Sequence, residues 1–299
     1  MLFCGAAWLC LCSVCASSLP VSEEPLSVCQ TDFINLINIK NVPTGALVRG
    51  EELNVFSDMG AWTGYALPVN EVGRHAGAFI GPMTMDGNGW IAITLAQPFI
   101  RVNGKSFNMA RTVQYSQYLP GRLMQVSANE QLAFRTELCF ISSRTALVKA
   151  EVVNQSTQPI TLTWTWRGGA FPNITSCRFE DKTATICRLK DSLQVAIRFA
   201  TASQLKPVGK DSLLVTEKQG RVLQPGERCT AHYLQMVALP KEDLAAELAR
   251  WVAVDTDKCL EENATRWNQW LATLLNGKGK YLSDNLYRRI LVKAMMTLN

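Results

Sequence analysis

Between residues 26 and about 239, apolar side chains recur at every second position or in short blocks, with turn residues between them. In residues 159–166, Ile160, Leu162, Trp164 and Trp166 make one face and Thr161, Thr163 and Thr165 the other. Ala146, Val148, Ala150 and Val152 line one face of a second strand, and Leu193, Val195, Ile197 and Phe199 one face of a third. Residues 229–237 read as a fourth. Asn103-Gly104, Pro120-Gly121 and Pro225-Gly226 punctuate the set as turns, and Asp86-Gly87-Asn88-Gly89 reads as another. No helical period of useful length occurs in this stretch. So many strands at short spacing predict antiparallel sheets packed face to face, an extended sandwich with many strands per sheet.

From Pro240 the period changes. Leu244, Leu248, Trp251 and Val252 share one helical face, and Asp255-Thr256-Asp257 interrupts it and caps a second helix. That helix carries Leu260, Trp267, Trp270, Leu271 and Leu274 and stops at Asn276-Gly277. Ser283-Asp284 caps a third, with apolar residues at 286, 290, 291, 294, 295 and 298. This last helix is apolar over much of its circumference and calls for cover on more than one side. The expectation is a chain that forms the front part of a longer protein. Trp251, Trp267 and Trp270 are expected at the seam between the sheets and the helices. The fold class is therefore mainly β with C-terminal helices. Residues 1–16 are the signal peptide, 17–239 the β domain, 240–280 a helical linker and 281–299 the start of an all-α domain.

A net charge of +5 over 299 residues is small, and the basic runs are short, Arg288-Arg289 and Lys278 with Lys280. This excludes a nucleic-acid stripe. Residues 2–14 carry no charge and end at Val14-Cys15-Ala16, the pattern of a cleaved export signal too short to span a bilayer. No later stretch is apolar enough for a membrane span. Export directs attention to the six cysteines after residue 16. Cys177 and Cys187 lie symmetrically about Lys182 in a strand–turn–strand segment, so a hairpin disulfide and a pair of free thiols are both open. With two histidines and no Cys-x-x-Cys spacing among the six cysteines after residue 16, no zinc site and no cofactor are expected. Asn154, Asn173 and Asn263 open glycosylation sequons, which matter if the source is eukaryotic.

Asp58 and Trp62 are the candidate substrate-binding residues. A tryptophan face stacks on a sugar ring and a carboxylate accepts sugar hydroxyls. The competing reading packs Trp62 between sheets and lets Asp58 satisfy a turn. Trp164 and Trp166 are read as core rather than as a sugar platform. His75 is read as a surface residue and His232 as a structural partner. The adjacent acidic pairs, such as Glu51-Glu52 and Glu261-Glu262, diverge on any regular element and make no acid/base couple.

Three longer stretches carry a resemblance. They are Asn54-Val55-Phe56-Ser57-Asp58-Met59-Gly60-Ala61-Trp62-Thr63-Gly64-Tyr65-Ala66-Leu67-Pro68, then Gly77-Ala78-Phe79-Ile80-Gly81-Pro82-Met83-Thr84-Met85-Asp86, and last Asn285-Leu286-Tyr287-Arg288-Arg289-Ile290-Leu291-Val292-Lys293-Ala294-Met295-Met296-Thr297-Leu298-Asn299. Together they resemble glycoside hydrolase family 63, the mannosyl-oligosaccharide glucosidase group, in its bacterial-type branch. The resemblance implies an N-terminal β-supersandwich leading into an (α/α)6 barrel. It also implies an oligosaccharide substrate and inverting hydrolysis of α-glucosidic bonds by two carboxyl groups. In the family those groups lie in the barrel, well past position 299. No catalytic residue is therefore assigned here, and this chain alone is expected to be inactive. The alternative is a non-catalytic carbohydrate-binding or scaffold β-sandwich. A third reading is another sandwich-plus-toroid enzyme, trehalase-like or phosphorylase-like.

Overall fold

The structure, a computed structural model, describes residues 28–47, 54–69, 74–85, 89–172, 175–277, 279 and 281–298. The proposed signal at 1–16, the turn at 86–88, Asn173, Lys278 and Lys280 lie outside them. Three sheets precede three helices. A four-stranded sheet holds β1 (Lys40–Asn41), β2 (Thr63–Pro68), β3 (Ile80–Thr84) and β4 (Gly89–Trp90), in that order. Next along the chain come β5 (Gln97–Val102), β6 (Lys105–Ser106), β7 (Val113–Leu119), β8 (Arg122–Ala128) and β9 (Leu132–Phe140). They are followed by β10 (Thr145–Asn154), β11 (Ile160–Gly169), β12 (Thr175–Glu180) and β13 (Thr183–Arg188). The last strands are β14 (Gln194–Arg198), β15 (Gln204–Val208), β16 (Ser212–Leu223) and β17 (Arg228–Ala238). They form an eight-stranded sheet in the order β12-β13-β14-β17-β10-β9-β8-β7 and a five-stranded sheet in the order β15-β16-β11-β5-β6.

The two larger sheets are antiparallel and pack face to face, as the alternation requires. Their seam is aromatic. Trp164 meets Phe134 edge-on at 5.7 Å, Trp166 meets Tyr233 at 5.3 Å, and all four rings are buried. Trp164 and Trp166 are thus core. The small sheet departs from the expected pattern, because β1 pairs with β2 in parallel, Lys40 opposite Leu67. A parallel pair cannot be joined by a hairpin, and a long connection separates the two strands in sequence.

Among the polar groups buried in the sheets is a carboxyl. Glu217 is 1 % exposed, and its Oε1 accepts a hydrogen bond from Trp166 Nε1 at 3.1 Å. Burial pushes its carboxyl above the ordinary carboxylate range. A raised folded-state value means that the native protein holds the proton longer than the unfolded chain, so stability falls as pH rises through that window. Glu217→Gln keeps the acceptor and removes the ionisation. Its melting temperature should exceed the parent's by about 2 °C or more at neutral pH. The two proteins should converge below about pH 4.3, where the unfolded carboxyl is protonated as well. Thermal melts at both pH values check this, and a gap that grows towards acid contradicts it.

The second and third helices follow the predicted caps, and the first starts later than Pro240. α1 (Leu244–Arg250) starts at Asp243, whose carboxylate accepts from the Ala245 and Ala246 amides. α2 (Thr256–Leu275) starts at Asp255, which accepts from Asp257 and Lys258, and ends at Asn276. α3 (Asn285–Leu298) receives Asp284, which accepts from the Tyr287 amide. Among the described residues no helix is long and apolar enough to cross a membrane. The eight-stranded sheet is covered on both faces. Leu138, Val148 and Tyr233 face the five-stranded sheet, while Cys139, Leu147, Leu234 and Met236 form a second core with Leu244 of α1 and Leu260 of α2. α3 buries Val292 and Met296 and leaves Leu286 69 % and Ile290 54 % exposed.

The hairpin β12–β13 corrects one expectation. Glu180 opposes Thr183, so the turn has two residues, Asp181 and Lys182, with Asp181 at φ 46°. Cys177 then faces Ile186, and Cys187 faces Ser176. Symmetry about Lys182 had assumed a one-residue turn. The real register is offset by one, which sends the two side chains to opposite faces. Both are free thiols, and no disulfide joins them.

Candidate functional site

The loop before β2 is the most constrained feature of the sandwich. Phe56 and Tyr65 exchange backbone hydrogen bonds at 2.6 and 2.9 Å, and Phe56 wedges against Tyr118 and Phe140. Between these bonds the chain reverses over Met59 and Gly60, both at positive φ (58° and 68°), and the Ala61 amide donates to the Asp58 carbonyl. Two successive positive-φ residues define a type I′ reversal, and a methionine in that conformation carries strain.

The reversal turns Asp58 inward, where it is completely buried. Its Oδ1 accepts from the Met59 amide at 2.7 Å and from Arg266 Nη1 at 3.0 Å. Its Oδ2 accepts from Arg266 Nη2 at 2.6 Å, Trp267 Nε1 at 3.1 Å and Asn263 Nδ2 at 3.5 Å. Asn263, Arg266 and Trp267 are spaced i, i+3, i+4 on α2, so one helical face supplies all three side chains. The Arg266 guanidinium also lies 4.8 Å over the Trp270 ring. Asp58 is therefore a bidentate clamp that fastens the sandwich to α2, with its lone pairs occupied by protein donors rather than open to a sugar. Trp62 does the opposite and stands 54 % exposed, not packed between sheets. A cavity of about 220 Å³ opens beside the clamp, lined by Met59, Phe140, Trp251, Glu262 and Arg266 among others.

Two sequon asparagines turn out to be structural. Asn263 belongs to the clamp and is buried. Asn154 is buried too; its Nδ2 donates to the Gln158 and Leu223 carbonyls, and its Oδ1 accepts from Ser156. Neither leaves room for a glycan in the folded protein.

Other titratable groups are bound into structure. Glu137 holds Arg122 at 3.0 Å and Arg135 at 2.9 Å, and Lys149 pairs with Asp257 of α2. These pairs line a cleft of about 330 Å³ between β8–β10 and α2. His232 is half-buried, and burial next to Lys149 lowers its ionisation below the ordinary histidine range. His75, half-buried rather than on the surface, is lowered in the same way, again chiefly by burial.

The sequence reading missed a second feature, a groove on the outer face of the five-stranded sheet. It is about 590 Å³, is lined by Phe99, Arg101, Thr163, Thr165 and Arg167, and continues towards His75. The alternation of Gln97, Phe99 and Arg101 with buried neighbours is visible along β5. Its pairing with β11, some sixty residues on, is not.

Residues 47–189 match the family model described as Glucosidase YgjK, N-terminal. The match takes in Asp58, Trp62 and the strands from β2 to β13, and excludes the α2 half of the clamp. No curated protein matches the chain in sequence. Among solved structures, a bacterial glucoamylase complexed with acarbose aligns at a TM-score of 0.50 and 10% identity, over 86% of this chain and 43% of its own. A putative kojibiose phosphorylase from human microbiome aligns at 0.49 and 7% identity, over 70% and 34%. A putative aldose 1-epimerase from Escherichia coli K12 aligns at 0.43 and 10%, over 62% and 98%. The chain thus spans about a third of the phosphorylase and less than half of the glucoamylase. At these identities the glucoamylase likeness speaks for the fold. The share it covers exceeds everything up to the end of β17, so it takes in helix as well as sheet.

Proposed function

We propose that this chain is the N-terminal portion of a glycoside hydrolase of family 63, an inverting enzyme acting on α-glucosidic bonds in oligosaccharides. The observation that carries the reading is the match of residues 47–189 to the N-terminal region of a glucosidase. In this reading residues 17–239 are the β-supersandwich, 240–280 the helical linker and 281–299 the first helix of an (α/α)6 barrel. Export through residues 1–16 belongs to the same proposal. The Asp58–Arg266 clamp supports it physically, because it fixes the angle at which the sandwich delivers the chain into the helices. The apolar flank of α3 at Leu286 and Ile290 is then the side on which further barrel helices pack. Trp62 is the sandwich residue turned towards the substrate side.

The chemistry asks for two carboxyl groups about 6.5–9.5 Å apart, one protonating the leaving oxygen and the other activating water from the opposite face. Both roles fall to the barrel, and this chain braces it. The test is to express the whole reading frame and follow maltose, nigerose and kojibiose by proton NMR. Inversion releases β-glucose first. Appearance of α-glucose first, or no cleavage of any α-glucoside, overturns the proposal.

A further inference from the structure

The outer face of the five-stranded sheet carries a ladder whose order follows from register. Gln97 of β5 lies opposite Arg167 of β11, Phe99 opposite Thr165, and Arg101 opposite Thr163. All point away from the core, since the intervening Pro98, Ile100, Trp164 and Trp166 are buried. The Arg167 guanidinium lies 4.8 Å over the Phe99 ring, which is 44 % exposed. A cation, an aromatic ring and a second cation therefore follow one another along the strands. The backbones that carry the two cations are four positions apart, about 14 Å at the rise of an extended strand, and the Arg167 guanidinium leans from its end over Phe99. The segment 106–110 walls one side of the groove, and Arg74 adds a third cation at its end.

Among the described residues the charge in this groove is one-sided: none of those lining its two connected cavities is a carboxylate. Arg74, Arg101 and Arg167 have no ion pair among the described residues, whereas the arginines of the α2 clamp and the β8–β10 cleft do. Guanidinium forks match carboxylates two oxygens at a time. Two forks carried on opposite sides of Phe99, at the positions of Gln97 and Arg101 along the strands, ask for anions spaced along a chain rather than for one small ion. The exposed ring between them offers apolar contact to the face of a pyranose, and Thr163, Thr165 and Gln97 offer hydrogen bonds to hydroxyls. β5 and β11 are interior strands with paired backbones, so an extended acidic peptide cannot add to the sheet here.

We propose that this ladder is a binding site for a carboxylated oligosaccharide, a uronate chain, with one pyranose on Phe99 and flanking carboxylates on Arg167 and Arg101. The site is separate from the clamp and does not rest on the hydrolase reading. Calorimetric titration of the full chain with pentagalacturonate tests it, with maltopentaose, polyglutamate and oligothymidylate as comparisons. Pentagalacturonate should bind in preference to all three. Arg167→Ala and Arg101→Ala should each weaken it about tenfold. Phe99→Ala should weaken it with unchanged salt dependence, because it removes no charge. Arg167→Lys should fall between parent and Arg167→Ala, since it keeps the charge and loses the fork. Thermal melts identify any variant that fails to fold, and Arg101→Gln then replaces it. Equal binding of polyglutamate or oligothymidylate, equal binding of neutral maltopentaose, no binding of pentagalacturonate, or affinity indifferent to these substitutions each overturns the proposal.

Discussion

Asp58→Ala is expected to cost about 3 to 5 kcal/mol of stability, the range for stripping one partner from a buried ion pair. The carboxylate is sealed from solvent, and the Arg266 side chain is 22 % exposed. Removing it takes away at once the acceptor of the Arg266 guanidinium, the buried Trp267 indole N–H and the buried Asn263 amide. Each abandoned donor carries its own desolvation cost. Asp58→Asn is expected to recover little, because its amide would point N–H groups at the donors of Arg266. The double substitution Asp58→Leu with Arg266→Met should be milder than the sum of the single changes, as both charges leave together. Urea denaturation of the four proteins gives the coupling directly. A loss below about 1 kcal/mol for Asp58→Ala would mean that the pair behaves as a surface bridge and that the clamp is not what joins the two halves.

Gly121→Ala is expected to act on the same joint from the other side. Pro120 and Gly121 make the two-residue turn between β7 and β8, with Gly121 at φ +82°. A Cβ there would lie 2.0 Å from Cδ1 and Nε1 of Trp267. That ring cannot yield cheaply, being buried and tied to Asp58. The left-handed backbone alone costs a side chain about 1–2 kcal/mol. Displacing the indole adds the loss of a buried hydrogen bond, about 1–3 kcal/mol. Gly104 supplies the control, with φ +78° and nothing within 4 Å of its added Cβ. Gly104→Ala should show the backbone cost only. The excess of Gly121→Ala over Gly104→Ala measures the collision with Trp267, and thermal or urea denaturation reads it. Combined with Asp58→Ala, Gly121→Ala should be sub-additive, since both break the bond between Trp267 and Asp58. Equal costs at the two glycines would remove Trp267 from the joint.

What could be read from the sequence and what could not divides along physical lines. Strand faces were legible, because alternation records burial directly; Ile160, Leu162, Trp164 and Trp166 all lie in the core. The starts of α2 and α3 were legible as well, since Asp255 and Asp284 act on amides two or three residues away; that of α1 was not, because Pro240 reads as the opening while Asp243 caps the helix. Register was not. The β12–β13 hairpin depends on whether its turn takes one residue or two, and composition does not decide that. Nor was the use of Asp58, whose guanidinium partner lies 208 positions along the chain. A polar residue in a glycine-containing loop reads alike whether it meets a sugar or an arginine. Short sequons say nothing about burial, so Asn154 and Asn263 looked available when both are sealed. The ladder of Arg167, Phe99 and Arg101 needed the pairing of β5 with β11 before it could be seen at all.

The eight-stranded sheet has no dry side left to spare. Leu147, Leu234 and Met236 point out of the sandwich and are sheltered only by Leu244 of α1, Leu260 of α2 and their neighbours. Cutting the chain after Ala238 would peel off that rind and hand a sticky strip of sheet to the solvent. Anyone transplanting the β half into a chimera would have to graft α1 and α2 along with it.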